Sequence, residues 1–438
     1  MTGANFLLDT GSNKILIDCG ILQREQVCDT ANGAPFPYDV KAIDALVVTH
    51  AHADHIGRIP KLVRDGFRGS IYSTVATKDL AVLMFEDALG IMQREVERHG
   101  CEILYERADV ERTFSLWHTE EYHERFEIGD AAVEFLDAGH ILGSALIKLT
   151  RNKRTIIFTG DIGNSPEPLL QDTESPEGTN YLVMESVYGD RVHEERSLRR
   201  EHLRGFVEDV RVRRGTLLIP SFSIERTQML LFELNTMIEE GLIKPISVYL
   251  DAPLGIEVTE IFRKYKNILN LAAREHFVHG DPFSFRSLTL TRHSGESHAI
   301  HKTPNPKIII AGAGMSGGGR IRAHEKYYLG DKHATLLFVG YQVPGSLGRR
   351  IQDGEKKVEI DGVRTSVRAH IETLSGYSGH ADREQLLTFV ENAGEGLERV
   401  FVTMGEPSAS LFLAQRIRDF LGVESVVPES GQSFEIDW

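Results

Sequence analysis

The pattern of apolar and polar positions changes character near residue 190. Before it, short β-branched runs such as "NKILIDCG" (13–20), "IDALVVTH" (43–50), "AAVEFLDA" (131–138) and "RTIIFTGD" (154–161) give way to Gly, Asp or His at their ends. Runs of that length and composition predict strands. After Thr77, Leu80, Leu83, Met84, Leu89 and Met92 approximate a 3.6-residue stripe and predict a helix. A largely antiparallel or mixed sheet with helices outside it follows for residues 1–189.

From 190 to 370 apolar runs alternate with amphipathic segments: "TLLIPSF", "ERTQMLLFELNTMIEEG", "ISVYLD", "LGIEVTEIFRKYKNIL", then "KIIIAGAG", "RIRAHEKYYLG" and "TLLFVGY". Strand and helix in turn predict a parallel, doubly wound α/β domain. The tail, 371–438, carries one strand ("RVFVTMGE") and one helix ("SASLFLAQRIRDFLG"). It is short to stand alone, so it is expected to complete the first sheet, which makes 190–370 an insertion.

Composition narrows the setting. Hydrophobic residues at 41% and charged residues at 26% suit a globular protein, and no apolar run nears the roughly 20 residues that span a bilayer. The beginning, "MTGANFLLDTGSNKILIDCG", lacks a basic segment followed by an apolar stretch and a cleavage site, so a cytoplasmic address is expected. Cys19, Cys28 and Cys101 share no C-x-x-C spacing and predict reduced thiols, neither a disulfide framework nor a cysteine metal site. The formal charge of −15 is an unfavourable overall field for nucleic acid. Metal-binding carboxylates are neutralised by the cations they hold, and "RVRR" (211–214), "LGRR" (347–350) and "EKK" (355–357) offer local basic clusters, which weakens that objection.

The chemistry begins in "VVTHAHADHIGRIP" (47–60), with three histidines and an aspartate within six positions after an apolar run. If "DALVVTH" is a strand and a helix opens near Gly57, then His50, His52, Asp54 and His55 lie on the connecting loop, where a rigid scaffold can aim them. Imidazole nitrogen and carboxylate oxygen suit zinc, and H-x-H-x-D-H packs donors more densely than a structural role explains. His140 in "GHILGSA" and Asp161 at the end of "IIFTG" are polar residues where strands stop. His50, His52 and His140 are expected to hold one zinc, Asp54 and His55 a second, with Asp161 bridging. Two cations a few ångströms apart lower the pKa of a shared water and screen a phosphate under attack. Asp18, in "IDCG", is expected to orient a ligand histidine from behind.

At these residues the sequence resembles the metallo-β-lactamase superfamily. Three further stretches resemble its β-CASP branch of RNA- and DNA-processing nucleases: "MESVYGDR" (184–191) with Glu185, "GYSGHAD" (376–382) with Ser378 and His380, and the glycine-rich "GMSGGGR" (314–320). "PSFSIERTQ" (220–228) is also similar to the inserted domain of that branch. The resemblance implies an αββα sandwich with an inserted parallel β-CASP domain, and a zinc-dependent hydrolase (zinc, or manganese) acting on single-stranded RNA, with DNA as a second possibility. It assigns His380, paired with Glu185, to proton donation, as a carboxylate-stabilised imidazolium can do near neutral pH, and counts Asp54 with them among the catalytic side chains. Ser316, Gly317, Gly318 and Arg320, with Ser378, are the expected substrate contacts, through backbone amides and a guanidinium. A monomer or homodimer without membrane attachment is expected.

Two departures from the family pattern stand out. Where it calls for a ligand histidine before Gly-Glu, this chain has Met404, a poor partner for zinc held by oxygen and nitrogen. The second ion is then expected to bind more weakly, which leaves a catalytically weakened RNA-binding relative as the alternative; a thioesterase or lactonase ranks last because it needs neither "ESVYGDR" nor "GYSGHAD". Relatives also carry a short strand ahead of the segment matching "TGANFLL", where this chain has Met1.

Overall fold

The structure is a computed structural model that describes residues 3–22, 30–100 and 102–438. Cys28 and Cys101 lie outside the described residues; Cys19 is buried and reduced. The chain divides into two compact units: residues 1–167, 171–192 and 380–438 form the first, and 168–170 with 193–379 the second.

The first unit is a sandwich of two sheets. One, with five strands, runs in the order Phe6–Asp9, Lys14–Ile17, Ala45–Val47, Ser70–Ser73, Trp117–Thr119, antiparallel at the first pairing and parallel beyond it. The other, with seven, runs Glu424–Val426, Arg399–Val402, Tyr181–Met184, Arg154–Phe158, Ala145–Arg151, Ala131–Asp137, Phe126–Ile128. Its last four strands form antiparallel hairpins, and the others pair in parallel. Strand alternation splits the apolar residues between two cores. Ile156, Phe158, Val183 and Phe401 face Ile15, Ile17 and Val47 of the first sheet. Their neighbours Ile157, Leu182, Val400 and Val402 face Leu386, Phe389 and Leu413 on the helices Arg383–Glu391 and Pro407–Arg416. Residues 380–438 thus supply two strands and two helices to the first unit.

The helix expected after Thr77 opens earlier, at Val75, where the Thr74 hydroxyl accepts from the Thr77 amide. Its buried side is made by Ala76, Leu80, Ala81, Phe85 and Met92, while Leu83, Met84 and Leu89 are only half-buried. A 3.6-residue stripe counted from Leu80 passes over the small residues Ala76 and Ala81, which the helix also buries.

The second unit is built on six strands, all parallel, in the order Leu288–Leu290, Ser247–Asp251, Lys307–Ala311, Thr216–Pro220, Thr335–Phe338, His370–Thr373. The strands Thr216–Pro220 and Lys307–Ala311 are buried at every residue. Continuous apolar runs are what a parallel sheet covered on both faces requires. The insertion was read as ending at 370, yet His370–Thr373 extends this sheet and the first unit resumes only at His380. That edge strand, "HIET", has no fully buried residue and so leaves no apolar signature.

Candidate metal centre

The side chains singled out by the sequence in the first unit sit where its strands end. Asp18 follows Lys14–Ile17 in a left-handed conformation (φ 58°), and Thr49 and His50 follow Ala45–Val47. His140 lies beyond Ala131–Asp137, Asp161 beyond Arg154–Phe158 and Glu185 directly after Tyr181–Met184. A helix opens sooner than expected: His52 is the residue before the short helix Ala53–Ile56, which carries Asp54 and His55 in its single turn. The amides of His55 and Ile56 bond back to the His52 carbonyl at 2.9 and 3.0 Å.

Four ligand atoms converge. His52 Nδ1 is 3.1 Å from His50 Nε2 and 3.1 Å from His140 Nε2. Asp161 Oδ2 is 3.4 Å from both His50 Nε2 and His140 Nε2. The edge of a tetrahedron with arms of about 2.0–2.1 Å, the usual zinc–nitrogen distance, is about 3.3 Å. These four separations match the edges of a tetrahedral ligand shell, and all four atoms lie within 4.8 Å of one another. On the other side of the same carboxylate, Asp161 Oδ1 is 3.3 Å from His55 Nε2. That nitrogen is fully buried and makes no hydrogen bond. A buried polar atom without a hydrogen-bond partner, beside a carboxylate already shared with two imidazoles, fits a second cation. Asp54 is buried in the same turn, close enough for its charge to act on His52 and His380.

Behind these atoms stands a second layer. Asp18 Oδ2 accepts from His55 Nδ1 at 2.7 Å and from the Thr49 hydroxyl at 2.7 Å, and Asp18 Oδ1 accepts from the Thr49 amide at 2.8 Å. His380, where the chain returns to the first unit, is held by backbone: it forms an antiparallel bridge with Gly163, and the Ala381 amide donates to the Ile162 carbonyl at 2.8 Å. The segment that begins with Asp161 therefore also places His380. Its Nδ1 is 3.1 Å from Glu185 Oε1 and 3.9 Å from Asp161 Oδ2. Glu185 is fixed in turn by the amides of Ile162 at 2.7 Å and Val187 at 3.2 Å. The cap of the following helix is Asp382, which accepts from the Gln385 amide, so His380 stays outside the helix.

Burial and the facing carboxylates together set the charge states of these side chains. Burial holds His52 down to about 4, and His50 and His140 well below the ordinary imidazole value, so all three are neutral and offer lone pairs. Burial also opposes charge on His55, but the Asp161 and Asp18 carboxylates outweigh it and hold its pKa well above the usual value. His380 follows the same rule: burial lowers its pKa, the Glu185 and Asp161 carboxylates raise it further, and it stands at about 9.

The remaining predicted residues belong to the second unit. Ser316 is fully buried in a left-handed conformation (φ 57°), and its hydroxyl donates to the buried Glu325. Arg320 is turned onto Asp251 and the carbonyls of Thr291 and Arg292. Gly317 and Gly318 have open space where a Cβ would stand. Ser378 is buried, and its amide donates to Ser375 at 2.8 Å. Met404, in the first unit, occupies a left-handed position (φ 56°) just beyond Arg399–Val402, and the preceding Thr403 is tied to Met184 at 2.8 Å. The residue that sequence reasoning missed is Thr49, whose hydroxyl touches Asp18, His50 and His55; a threonine at the end of "ALVVT" reads as one more β-branched strand residue.

Comparison with known proteins agrees with this architecture. Residues 227–351 match the family model described as Beta-Casp domain, 364–428 match that described as Zn-dependent metallo-hydrolase RNA specificity domain, and 2–188 match that of the anti-Pycsar protein Apyc1. Ribonuclease TTHA0252 of Thermus thermophilus is 36% identical over 419 residues, 95% of this chain and 93% of that protein. The transcription termination factor FttA of Methanosarcina mazei is 32% identical over 438 residues, covering 96% of this chain and 67% of its own length. A crystal structure of a protein of unknown function from Enterococcus faecalis shares the fold, with a TM-score of 0.55 at 12% identity over 98% of this chain and 96% of the other. No helix among the described residues is long and apolar enough to cross a membrane. The convergent histidines and aspartate form a cluster that could hold a metal ion, and the chain belongs to the β-CASP branch of the metallo-β-lactamase-fold nucleases.

Proposed function

We propose that this protein is a zinc-dependent ribonuclease that hydrolyses phosphodiester bonds of single-stranded RNA. The observation that carries the reading is the close approach of two groups on one carboxylate: the four-atom cluster of His50, His52, His140 and Asp161, and the Asp161–Glu185–His380 cluster. A ligand set of imidazole and carboxylate favours zinc, with manganese the next candidate. When bound, the metal supplies Lewis acidity: it lowers the pKa of water and offsets charge on phosphate. His50, His52, His140 and Asp161 would hold the first ion, and Asp54, His55 and Asp161 the second. Glu185 accepts at His380 Nδ1 and keeps the imidazole charged, which leaves Nε2 to give its proton to the departing ribose oxygen. In the second unit, the open backbone at Gly317 and Gly318 takes phosphate oxygens, with Arg320 alongside; Ser316 supports that loop from beneath, and Ser378 belongs to the turn leading to His380.

The test uses the purified, metal-loaded full chain with end-labelled single-stranded RNA and matched DNA. RNA is expected to be cut, a chelator to stop the reaction, and zinc or manganese to restore it. No hydrolysis with either ion, and no difference between wild type and His380→Ala, would reject the reading. A second reading, RNA binding without turnover, is favoured by Met404 at the position where the family pattern has a ligand histidine. It predicts binding without cleavage, and cleavage regained in Met404→His.

A further inference from the structure

Thr49 is buried, and its hydroxyl oxygen lies 2.7 Å from Asp18 Oδ2, 3.0 Å from His50 Nδ1 and 3.3 Å from His55 Nδ1. A hydroxyl has one hydrogen and two acceptor lone pairs, whereas an ionised carboxylate only accepts. The hydrogen of Thr49 therefore goes to Asp18, the shortest of its contacts. Towards His50 the same oxygen can then only accept, so His50 must carry its hydrogen on Nδ1. That leaves the lone pair on Nε2, the atom 3.1 Å from His52 Nδ1 and 3.4 Å from Asp161 Oδ2. His55 needs no such relay, because its Nδ1 reaches Asp18 directly at 2.7 Å. The hydroxyl is locked in place: Gly160, just ahead of Asp161, packs so closely that a Cβ there would stand 2.7 Å from the Thr49 oxygen.

We propose that Thr49 is a positioning residue that fixes the tautomer of His50, relaying one carboxylate, Asp18, to the first metal position while that carboxylate serves the second position directly through His55. This inference rests on the metal-centre reading above. It makes the two positions unequal in their dependence on the hydroxyl, because only His50 loses its acceptor when Thr49 is changed. Hydrogen-bond partners behind metal-bound histidines typically matter by about 10–100-fold in metal affinity.

The experiment measures zinc affinity and stoichiometry of the full chain by competition with a chromophoric chelator, for wild type, Thr49→Val, Thr49→Ser and Asp18→Asn. Thr49→Val keeps the shape and removes the hydroxyl; it is expected to weaken the tighter zinc about 10–100-fold, Thr49→Ser to restore it, and Asp18→Asn to weaken both ions. Wild type that takes up zinc while Thr49→Val binds it as tightly as Thr49→Ser overturns the proposal and leaves the metal reading standing. Wild type that takes up no zinc overturns the metal reading and the proposal with it. Should Thr49→Val fail to fold, nitrogen-15 spectra of histidine in the wild type freed of zinc by a chelator decide: a His50 ring protonated on Nδ1 supports the proposal, and one protonated on Nε2 overturns it.

Discussion

Each unit buries an aspartate at the end of a strand among histidines, and the two sites differ in what faces the carboxylate. In the second unit, Asp251 closes the strand Ser247–Asp251, fully buried. His324 Nε2 meets it at 2.8 Å, the Ser297 hydroxyl at 2.5 Å, the Thr291 hydroxyl at 2.6 Å, and Arg320 completes the ring. Each of these groups can donate a hydrogen. Burial works to raise the pKa of Asp251, but the bonds from His324, Ser297, Thr291 and Arg320 prevail and hold it well below the usual carboxylate range. In the first unit Asp161 is met by His50, His55 and His140, while His52 Nδ1 lies 3.1 Å from both His50 Nε2 and His140 Nε2. Neutral imidazoles that face each other and a carboxylate in this way can turn lone pairs inward. The lesson is that burial and residue type do not distinguish a structural polar cluster from a metal centre; the balance of donors and lone pairs does.

That contrast can be broken from either side. Asp161→Asn removes the shared carboxylate, and both metal uptake and RNA hydrolysis should fall to background, read by metal analysis and single-turnover cleavage. His380→Ala should slow cleavage by about 10²–10⁴-fold with metal content unchanged, since His380 stands beside the four-atom cluster without belonging to it. Asp251→Asn should do the opposite: metal content holds, while stability drops by about 3–5 kcal/mol, the usual cost of removing one partner from a buried charged network, measured by urea unfolding. The smallest effect is expected at Glu325, whose carboxyl burial pushes up from 4.5 to about 8. A carboxyl raised on folding favours the folded state while protonated, so its contribution is full below about pH 4.5 and is lost as pH rises towards 8. Glu325→Gln should therefore flatten the fall in melting temperature over that window by a few degrees, and a steeper fall in the variant would contradict the assignment.

Much of the centre was legible because polar side chains at the ends of apolar runs are conspicuous. Asp18, His50, His140 and Asp161 stand where strand patterns stop, His52, Asp54 and His55 crowd the short helix that follows the strand Ala45–Val47, and all of them belong to one unit. The parallel sheet of the insertion was legible for the same reason: strands such as "KIIIA" are apolar without interruption. What escaped depended on partners far away in sequence. The guanidinium of Arg320 bonds to Asp251, 69 residues earlier, a partner that nothing near Arg320 in the sequence announces. The glycine-rich stretch around Ser316 reads as a substrate contact, and nothing local signals that the Ser316 hydroxyl bonds to the buried Glu325. The strand His370–Thr373 is set by pairing with Thr335–Phe338, and no apolar pattern of its own announces it.

The central claim is that lone pairs from four side chains converge on one cation position. Anomalous diffraction at the zinc edge from crystals of the zinc-loaded protein tests it most directly. The account predicts a peak within about 2.0–2.2 Å of His50 Nε2, His52 Nδ1, His140 Nε2 and Asp161 Oδ2, with any second peak on the His55 side of Asp161. A zinc-saturated crystal with its density elsewhere, or with these four side chains bonded to one another through hydrogens and no metal between them, would contradict it.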